Sequence, residues 1–180
     1  MSPRLSRAEQ NDRNRALLFA AARRVFLARG YHAATLEQIA DDAGFSKGVV
    51  YSRFASKADL FLALLDLAQR TEREAPGWRL LVTEFRIHAA RDPELNRRYA
   101  ALHARKAEGI ANALTLISER GGEGLRFPPR QLAELVLAID TGLALEQQAN
   151  PDALGGPDLP VLRWLSNSFA SAPVLTGEET

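Results

Sequence analysis

The chain has 180 residues, of which 46% are hydrophobic and 25% charged, the balance of an ordinary globular protein, so wholesale disorder is excluded. It has no cysteine, which excludes disulfides, thiolate metal sites and cysteine nucleophiles. The net charge of +1 conceals an asymmetry: residues 1–57 carry ten basic and five acidic residues, a net of +5, and the remainder carries 13 and 17, a net of −4. A basic first third favours a nucleic-acid-binding segment, and chance fluctuation of charge explains it equally well.

The N-terminal third is predicted to be helical, because Ala and Leu dominate it and β-branched residues do not alternate with polar ones. Capping residues and helical spacing predict four helices: Arg7–Ala28, about 35 to 44, Lys47–Phe54, and one that starts near Lys57. Gly30 and Gly44 are expected to end the first two, with Gly30 in a left-handed conformation. Thr35, Ser46 and Ser56 are the expected N-terminal residues of the other three.

The remainder is predicted to be helical as well, after a break at Pro76-Gly77. The expected helices are Trp78–Ala90, Pro93 to about Arg120, Pro128–Ala149 and Pro157–Ala170. The second of these carries the stripe Leu95, Tyr99, Leu102, Lys106, Ile110, Ala113 and Ile117. The third carries Leu132, Leu135, Val136, Ile139 and Leu143. The longest apolar run near the start, Ala16–Ala22, is too short to span a bilayer, so we expect no membrane partner and a cytoplasmic location.

The strongest motif is residues 35–54, TLEQIADDAGFSKGVVYSRF, in which a tight glycine turn joins two short helices as in a helix-turn-helix. Ala40 is small where the second helix crosses, Gly44 supplies the turn, and Val50 returns to the core. The residues left on the outward side are Lys47, Gly48, Val49 and Tyr51. An ordinary pair of bundle helices is the other interpretation, but this spacing inside a basic segment favours DNA binding.

Residues 13–65 resemble the DNA-binding domain of the TetR (tetracycline-repressor-type) transcriptional regulators. The matching motifs are F-x-x-x-G-Y at Phe26–Tyr31, A-T-x-x-x-I-A-x-x-A-G from Ala34, S-K-G-x-x-Y-x-x-F from Ser46, and S-K-x-x-L from Ser56. The resemblance implies an all-α fold, with a three-helix helix-turn-helix domain over residues 8–55. That domain would be joined to a helical ligand-binding and dimerisation domain over residues 56–173. The join at Ala75–Gly77 is shorter than in similar proteins.

The resemblance also implies which residues meet double-stranded operator DNA: Thr35, Ser46, Lys47, Gly48, Val49, Tyr51, Arg53 and Lys57. Thr35, Tyr51 and Lys57 are expected at phosphates, and the run Ser46–Val49 at base edges in the major groove. Arg53 departs from the His or Tyr common at its position and serves either a phosphate or a base.

In the C-terminal part, five side chains are expected to contact a small hydrophobic ligand: Trp78, Phe85, His88, Tyr99 and His103. Plain core packing is the other interpretation of the aromatic residues. Glu84 and His88 share one helix face, but the Glu-x-x-His repeat of di-metal bundles is absent from the sequence. We therefore expect neither a metal nor a cofactor.

The sequence thus predicts a homodimeric DNA-binding repressor that a small hydrophobic ligand releases from its operator. We expect no enzyme activity, since the sequence has no Ser–His–Asp arrangement, nucleophile elbow or P-loop. The alternative is a helical ligand-binding or enzymatic protein whose helix-turn-helix no longer binds DNA. The intact outward residues Ser46, Lys47, Gly48, Tyr51 and Lys57 favour the first interpretation.

Overall fold

A computed structural model describes residues 6–71, 77–121 and 124–150, apart from the side chains of residues 68–71 and 144. These residues contain helices and no strand, which confirms the all-α prediction for them. The helices are α1 (Arg7–Ala33), α2 (Leu36–Ala43), α3 (Lys47–Tyr51), α4 (Lys57–Thr71), α5 (Trp78–Ala89), α6 (Pro93–Gly121) and α7 (Pro129–Ala149). The predicted break at Pro76 and the predicted helix Pro157–Ala170 lie outside the described residues. None of the helices described is both long and apolar enough to cross a membrane.

Helix α1 begins with a capping box in which the Ser6 hydroxyl accepts from the Glu9 N–H and the Glu9 carboxylate accepts from the Ser6 N–H. Its first buried side chain is Leu18, so its first three turns lie outside the core. Gly30 interrupts the helix with φ 75° and ψ 168°, and one more turn follows. The predicted positive φ at Gly30 is confirmed, but its ψ is extended, not that of the left-handed helix.

The chain divides into two compact units, one up to Leu102 and one from His103. The first contains α1–α5 and the start of α6 around one hydrophobic core. Its largest fully buried side chains are Tyr31, Phe26, Phe61, Phe85, Leu18, Ile39, Leu60 and Val50. The functional boundary expected between residues 55 and 56 is a different division and stays a prediction.

Phe61 of α4 holds this core together through ring contacts. Its centroid lies 5.0 Å from that of Phe26, 5.2 Å from Tyr31 and 4.5 Å from Phe85. Trp78 stacks on it at 6.0 Å. Edge-to-face and offset pairs at these distances are favourable beyond their buried area, so α1, α4 and α5 are packed by one aromatic cluster.

The apolar stripe predicted along α6 is confirmed over its first turns and at Ile110, and it is wrong at Ile117. Leu95, Tyr99 and Leu102 are buried in the first unit, whereas Ile117 is 67% exposed. In the second unit the buried positions of α6 are instead Ala107 and Ala111, which cluster with Ala133 and Leu137 of α7. Ile110 of the predicted stripe packs against this cluster, and the small side chains of Ala107 and Ala111 let the two helices approach closely.

Helix α7 departs from its predicted face in the same way. Leu132 and Leu143 are buried as expected, but Leu135 is 42% exposed and Val136 46% exposed. Leu137, outside the predicted stripe, is buried. Helix α7 therefore has more apolar surface than its packing within the described part of the second unit buries.

Candidate DNA-binding surface

The turn between α2 and α3 is fixed by Gly44, which adopts the left-handed conformation with φ 71° and ψ 27°. The Gly44 N–H donates to the Asp41 carbonyl at 3.1 Å and the Phe45 N–H to the Ala40 carbonyl at 2.9 Å. These bonds satisfy the last carbonyls of α2 and turn the chain into α3. Ala40 and Val50 are fully buried, so the predicted helix-turn-helix core is confirmed.

The start of α3 is presented outward, as the sequence predicts. Ser46, Lys47, Gly48 and Val49 are all exposed. Ser46 occupies the N-cap position but makes no side-chain capping bond, so its hydroxyl is not used by the helix. A Cβ placed on Gly48 would meet nothing within 4 Å. Packing within the described chain therefore does not require glycine at position 48. Close approach of an external partner to this backbone would require it. Helix α3 ends at Tyr51, three residues before its predicted end at Phe54.

Thr35 begins α2 in the way its sequence predicts. Its hydroxyl oxygen accepts from the Gln38 N–H at 3.2 Å, and the Gln38 side chain accepts from the Thr35 N–H at 3.1 Å. This capping box uses the oxygen of the hydroxyl, and a hydrogen bond from the Thr35 side chain also helps to lower the pKa of Glu37. Thr35 is exposed, so the geometry is compatible with the expected phosphate contact.

Tyr51, at the end of α3, already has an acceptor within the chain. Its hydroxyl donates to Glu37 Oε1 at 2.6 Å. This hydrogen bond is the main reason why the pKa of Glu37 lies below and that of Tyr51 above its ordinary value. Tyr51 is 47% exposed. Its expected phosphate contact therefore requires exchange of this partner.

Arg53 follows α3 and contacts the outlying start of α1, where its guanidinium donates to the Asn11 side chain. Arg53 is exposed, with four more N–H donors than this single bond uses. The bond ties the end of α3 to the part of α1 that precedes Leu18. Arg53 as a phosphate or base contact stays a prediction.

Lys57, at the start of α4, already has partners within the chain. Its ammonium donates to three backbone carbonyls: Tyr31 at 2.7 Å, His32 at 2.9 Å and Ala34 at 2.9 Å. A lysine has three N–H donors, so all of them are used inside the chain. Burial lowers the pKa of this ammonium below its usual value. The side chain thus holds α4 against the end of α1, and its expected phosphate contact stays a prediction.

Two further charged residues join α5 and α6 to the helices on either side of the helix-turn-helix, and the sequence predicts neither role. Glu84 of α5 accepts from the Tyr31 N–H at 2.8 Å. Arg98 of α6 forms a 2.6 Å ion pair with Asp59, in the first turn of α4. Both contacts join residues 39 or more positions apart, so local sequence contains no signal for them.

Four of the five residues expected at a ligand lie in or against the aromatic core of the first unit. Trp78, Phe85 and Tyr99 are buried in the core of the first unit, with the rings of Phe85 and Tyr99 5.9 Å apart. His88 is half-buried, its ring 5.1 Å from that of Tyr31. His103 belongs to the second unit. For the three aromatic residues the described contacts are those of core packing, and ligand contact stays a prediction. Among the described residues, no cluster of His, Asp or Glu could hold a metal.

A helix-turn-helix, formed here by α2, Gly44 and α3, is a structure found in many DNA-binding proteins. Comparison with known proteins shows which of them this one is similar to. Residues 18–64 match the family model "Bacterial regulatory proteins, tetR family". The transcriptional activator FasR of Mycolicibacterium smegmatis is 54% identical over 54 residues, 30% of this chain and 25% of that protein. The transcriptional repressor BepR of Brucella suis is 37% identical over 71 residues, 39% of this chain and 34% of that one.

The fold matches over a greater length than the sequence. A TetR-family regulator from a Rhodococcus species superposes with a TM-score of 0.74 at 19% identity, covering 89% of this chain and all of that one. GusR of Salmonella enterica superposes with a TM-score of 0.70 at 18% identity, covering 94% and 100%. The sequence matches to the curated relatives named here span only a quarter to a third of those proteins. Residues 18–64 are thus similar in sequence to the N-terminal region of TetR-family regulators, and over the greater length only the fold is shared.

Proposed function

We propose that this protein is a DNA-binding transcriptional regulator that reads its operator with the exposed start of α3. The observation that carries the proposal is the outward presentation of Ser46, Lys47, Gly48 and Val49 on a rigidly turned helix-turn-helix. An α-helix fits the major groove, where base edges are distinguishable. The net charge of +5 over residues 1–57 would attract the DNA backbone.

The contacts divide by chemistry. Lys47 can donate to guanine oxygen and nitrogen, and Val49 can meet a thymine methyl group, so these two residues are the proposed readers of sequence. Thr35 and Tyr51 hold hydroxyl groups at the start of α2 and the end of α3, where they would orient the surface on phosphates. Gly48 lets the groove approach the backbone of α3.

The test is a salt titration of binding to the DNA upstream of the protein's own gene and to a duplex of random sequence. Binding should fall linearly on a log–log plot against salt, and the upstream DNA should bind more tightly. Lys47→Ala should reduce discrimination at one base pair per half-site by about 1–3 kcal/mol. Lys106→Ala, which removes the same charge from the second unit, is the matched control. Wild-type protein that binds neither DNA would overturn the proposal in favour of a helical protein of another function.

Dimerisation is part of the proposal because a two-fold operator needs two α3 helices. It is supported by the exposed apolar residues of α7, Leu135 and Val136, which no packing within the described second unit covers. The double variant Leu135→Glu/Val136→Glu should give monomers by sedimentation and lose operator binding. Leu137 is unsuitable for this test because it is buried and its substitution would unfold the helix pair. A double variant that remains dimeric would show that the dimer interface lies elsewhere.

Repression released by a small hydrophobic ligand completes the proposed function, and its cytoplasmic location follows from the DNA target. It is supported by the fold shared with NalD of Pseudomonas aeruginosa, described as a secondary repressor of a multidrug efflux pump (21% identity, TM-score 0.60). Because a ligand acts only through its different affinity for two states, a screen should measure both thermal stabilisation and operator release. Compounds that stabilise the protein and leave DNA affinity unchanged would argue against the switch.

A further inference from the structure

Glu37 and Tyr51 form a hydrogen bond on the surface proposed to meet DNA. Glu37 lies in the first turn of α2 and Tyr51 is the last residue of α3. The tyrosine hydroxyl donates to Glu37 Oε1 at 2.6 Å, the short distance of a bond to a charged oxygen. The bond stands at the surface, since Tyr51 is 47% exposed. The Tyr51 hydroxyl is expected to donate to a DNA phosphate. Within the protein it already donates to the Glu37 carboxylate.

A carboxylate and a phosphodiester both present anionic oxygens that accept from a hydroxyl group, and a hydroxyl has one hydrogen to give. A phosphate that takes the Tyr51 hydrogen therefore displaces Glu37. The displaced carboxylate keeps its negative charge beside the incoming phosphate. One charge-assisted bond replaces another, and a like-charge repulsion is added, so the exchange is unfavourable overall.

We propose that Glu37 is a positioning residue that holds the Tyr51 hydroxyl as a phosphate would and thereby lowers the affinity of this surface for the DNA backbone. The inference rests on the proposed function, because it concerns the same contact with DNA. Phosphates are present at every site, so Glu37 lowers affinity for all sequences about equally. It leaves sequence discrimination to the start of α3.

The charge of Lys47 also acts on Glu37, as the weakest of the influences that lower the pKa of that carboxylate. The chief influence is the hydrogen bond from Tyr51, followed by one from the Glu37 backbone. An exposed carboxylate that loses the Tyr51 bond stays ionised at neutral pH, because its ordinary pKa is already far below 7. When DNA displaces Glu37 at neutral pH, the carboxylate is therefore still charged and still repels the phosphate.

The test is a double-mutant cycle in the full chain with Glu37→Ala and Tyr51→Phe. The probe is a fluorescent duplex of random sequence, about 30 base pairs long, which accommodates two half-sites one helical turn apart. Glu37→Ala should bind roughly three- to tenfold more tightly than wild type, the range expected for a bond to a charged group on the surface. Most of that gain should vanish in the Tyr51→Phe background, because no hydroxyl remains to be released.

The matched control is Asp41→Ala, which removes an exposed carboxylate from α2 one turn after Glu37. It should increase affinity less than Glu37→Ala and by the same factor with and without the Tyr51→Phe substitution. Equal gains from Glu37→Ala in the wild-type and Tyr51→Phe backgrounds would make Glu37 a plain repulsive charge and overturn the inference.

A second readout needs no DNA. The hydrogen bond to Glu37 raises the pKa of Tyr51, so Glu37→Ala should lower the pH at which one tyrosine ionises. Ultraviolet absorbance measures this ionisation. Tyr51→Phe should remove that same titration step. An unchanged titration in Glu37→Ala would overturn the inference. Wild-type protein that fails to bind the duplex would overturn the proposed function as well, whereas normal binding without coupling would overturn the inference alone.

Discussion

The Lys57 ammonium lies 4.7 Å from the centre of the Tyr31 ring and at the same time donates to the Tyr31 carbonyl at 2.7 Å. The cation thus satisfies the backbone at the end of α1 and rests on the face of the same residue's side chain. With the two further carbonyls of His32 and Ala34, it fixes the start of α4 to the corner that leads into α2. A change in the position of α4 would therefore reach the helix-turn-helix through this side chain.

Lys57→Ala is expected to destabilise the protein more than it weakens contact with phosphate. Loss of a three-donor side chain leaves carbonyls unpaired at a partly buried corner, which costs about 1–3 kcal/mol. The midpoint of thermal or urea denaturation should fall accordingly. At a temperature where the variant is folded, the log–log salt slope for DNA binding should stay near that of wild type.

The opposite pattern would restore the phosphate assignment suggested by resemblance. A salt slope smaller by about one unit with unchanged stability is what loss of a single phosphate contact predicts. Lys106→Ala serves again as the control for charge, since it also removes one lysine. Both quantities should be measured on the same preparation.

Alkaline pH is expected to destabilise the protein, in part through Tyr31. Burial raises the pKa of Tyr31 to about 12, from an ordinary value of 10.0 that the unfolded chain retains. The folded state therefore holds the phenolic proton more tightly, and this contribution to stability is complete below about pH 10 and is lost as the pH rises toward 12. Tyr31→Phe should flatten the stability curve over that window. Identical alkaline slopes in Tyr31→Phe and wild type, measured by urea denaturation, would contradict this origin.

Two glycines are expected to respond oppositely to alanine. Gly30 has φ 75°, and a Cβ there would lie 3.0 Å from the Glu84 carboxylate oxygen that accepts the Tyr31 N–H. Gly30→Ala should therefore cost about 1–3 kcal/mol of stability. Gly48 lies inside α3 with open space around it, so Gly48→Ala should be neutral or slightly stabilising.

The same two variants should differ in DNA binding in the opposite sense, with the larger loss in Gly48→Ala. Gly48→Ala adds a methyl group on the exposed start of α3 and should weaken operator binding without loss of fold. Gly30→Ala, once folded at low temperature, should retain sequence preference. Should Gly48→Ala bind the operator as well as wild type, α3 would not approach the groove at that residue.

The parts of the structure that the sequence predicts are those set by local chemistry. Thr35, Gly44 and Val50 each act through a cap, a turn or a helical period, and each lies where the spacing indicates. Their signals are contained within a few residues, so no tertiary information is needed.

The parts that the sequence does not predict depend on residues far apart in the chain. Resemblance places Lys57 at a phosphate, and local sequence does not reveal its three carbonyl partners, which lie 23 to 26 positions earlier. The predicted stripe along α6 omits the buried Ala107 and Ala111 and is wrong at Ile117, because the helix packs in two different units and one periodic face does not describe it. The pairing of Glu37 with Tyr51 joins two helices across the turn and has no periodic signature.

Phe85 and Ile87 offer a test of whether the aromatic residues of α5 are core or ligand contacts. Phe85 is fully buried, with its ring 4.5 Å from that of Phe61 and 5.0 Å from that of Tyr31. Phe85→Ala should therefore cost about 3–5 kcal/mol, because it leaves a cavity within a packed aromatic cluster. Ile87 is 57% exposed on the same helix, and Ile87→Ala should change stability by no more than about 0.5 kcal/mol.

The measurement is urea denaturation of both variants, followed by tryptophan fluorescence, since Trp78 stacks on Phe61 in the same cluster. A ligand cavity around Phe85 would change the outcome, because removal of a ring that already borders open space creates little new void. Phe85→Ala with a cost below about 1 kcal/mol would therefore contradict core packing and favour the ligand contact. The closed contacts of Phe85 with Phe61, Tyr31 and Tyr99 lead us to expect the large loss.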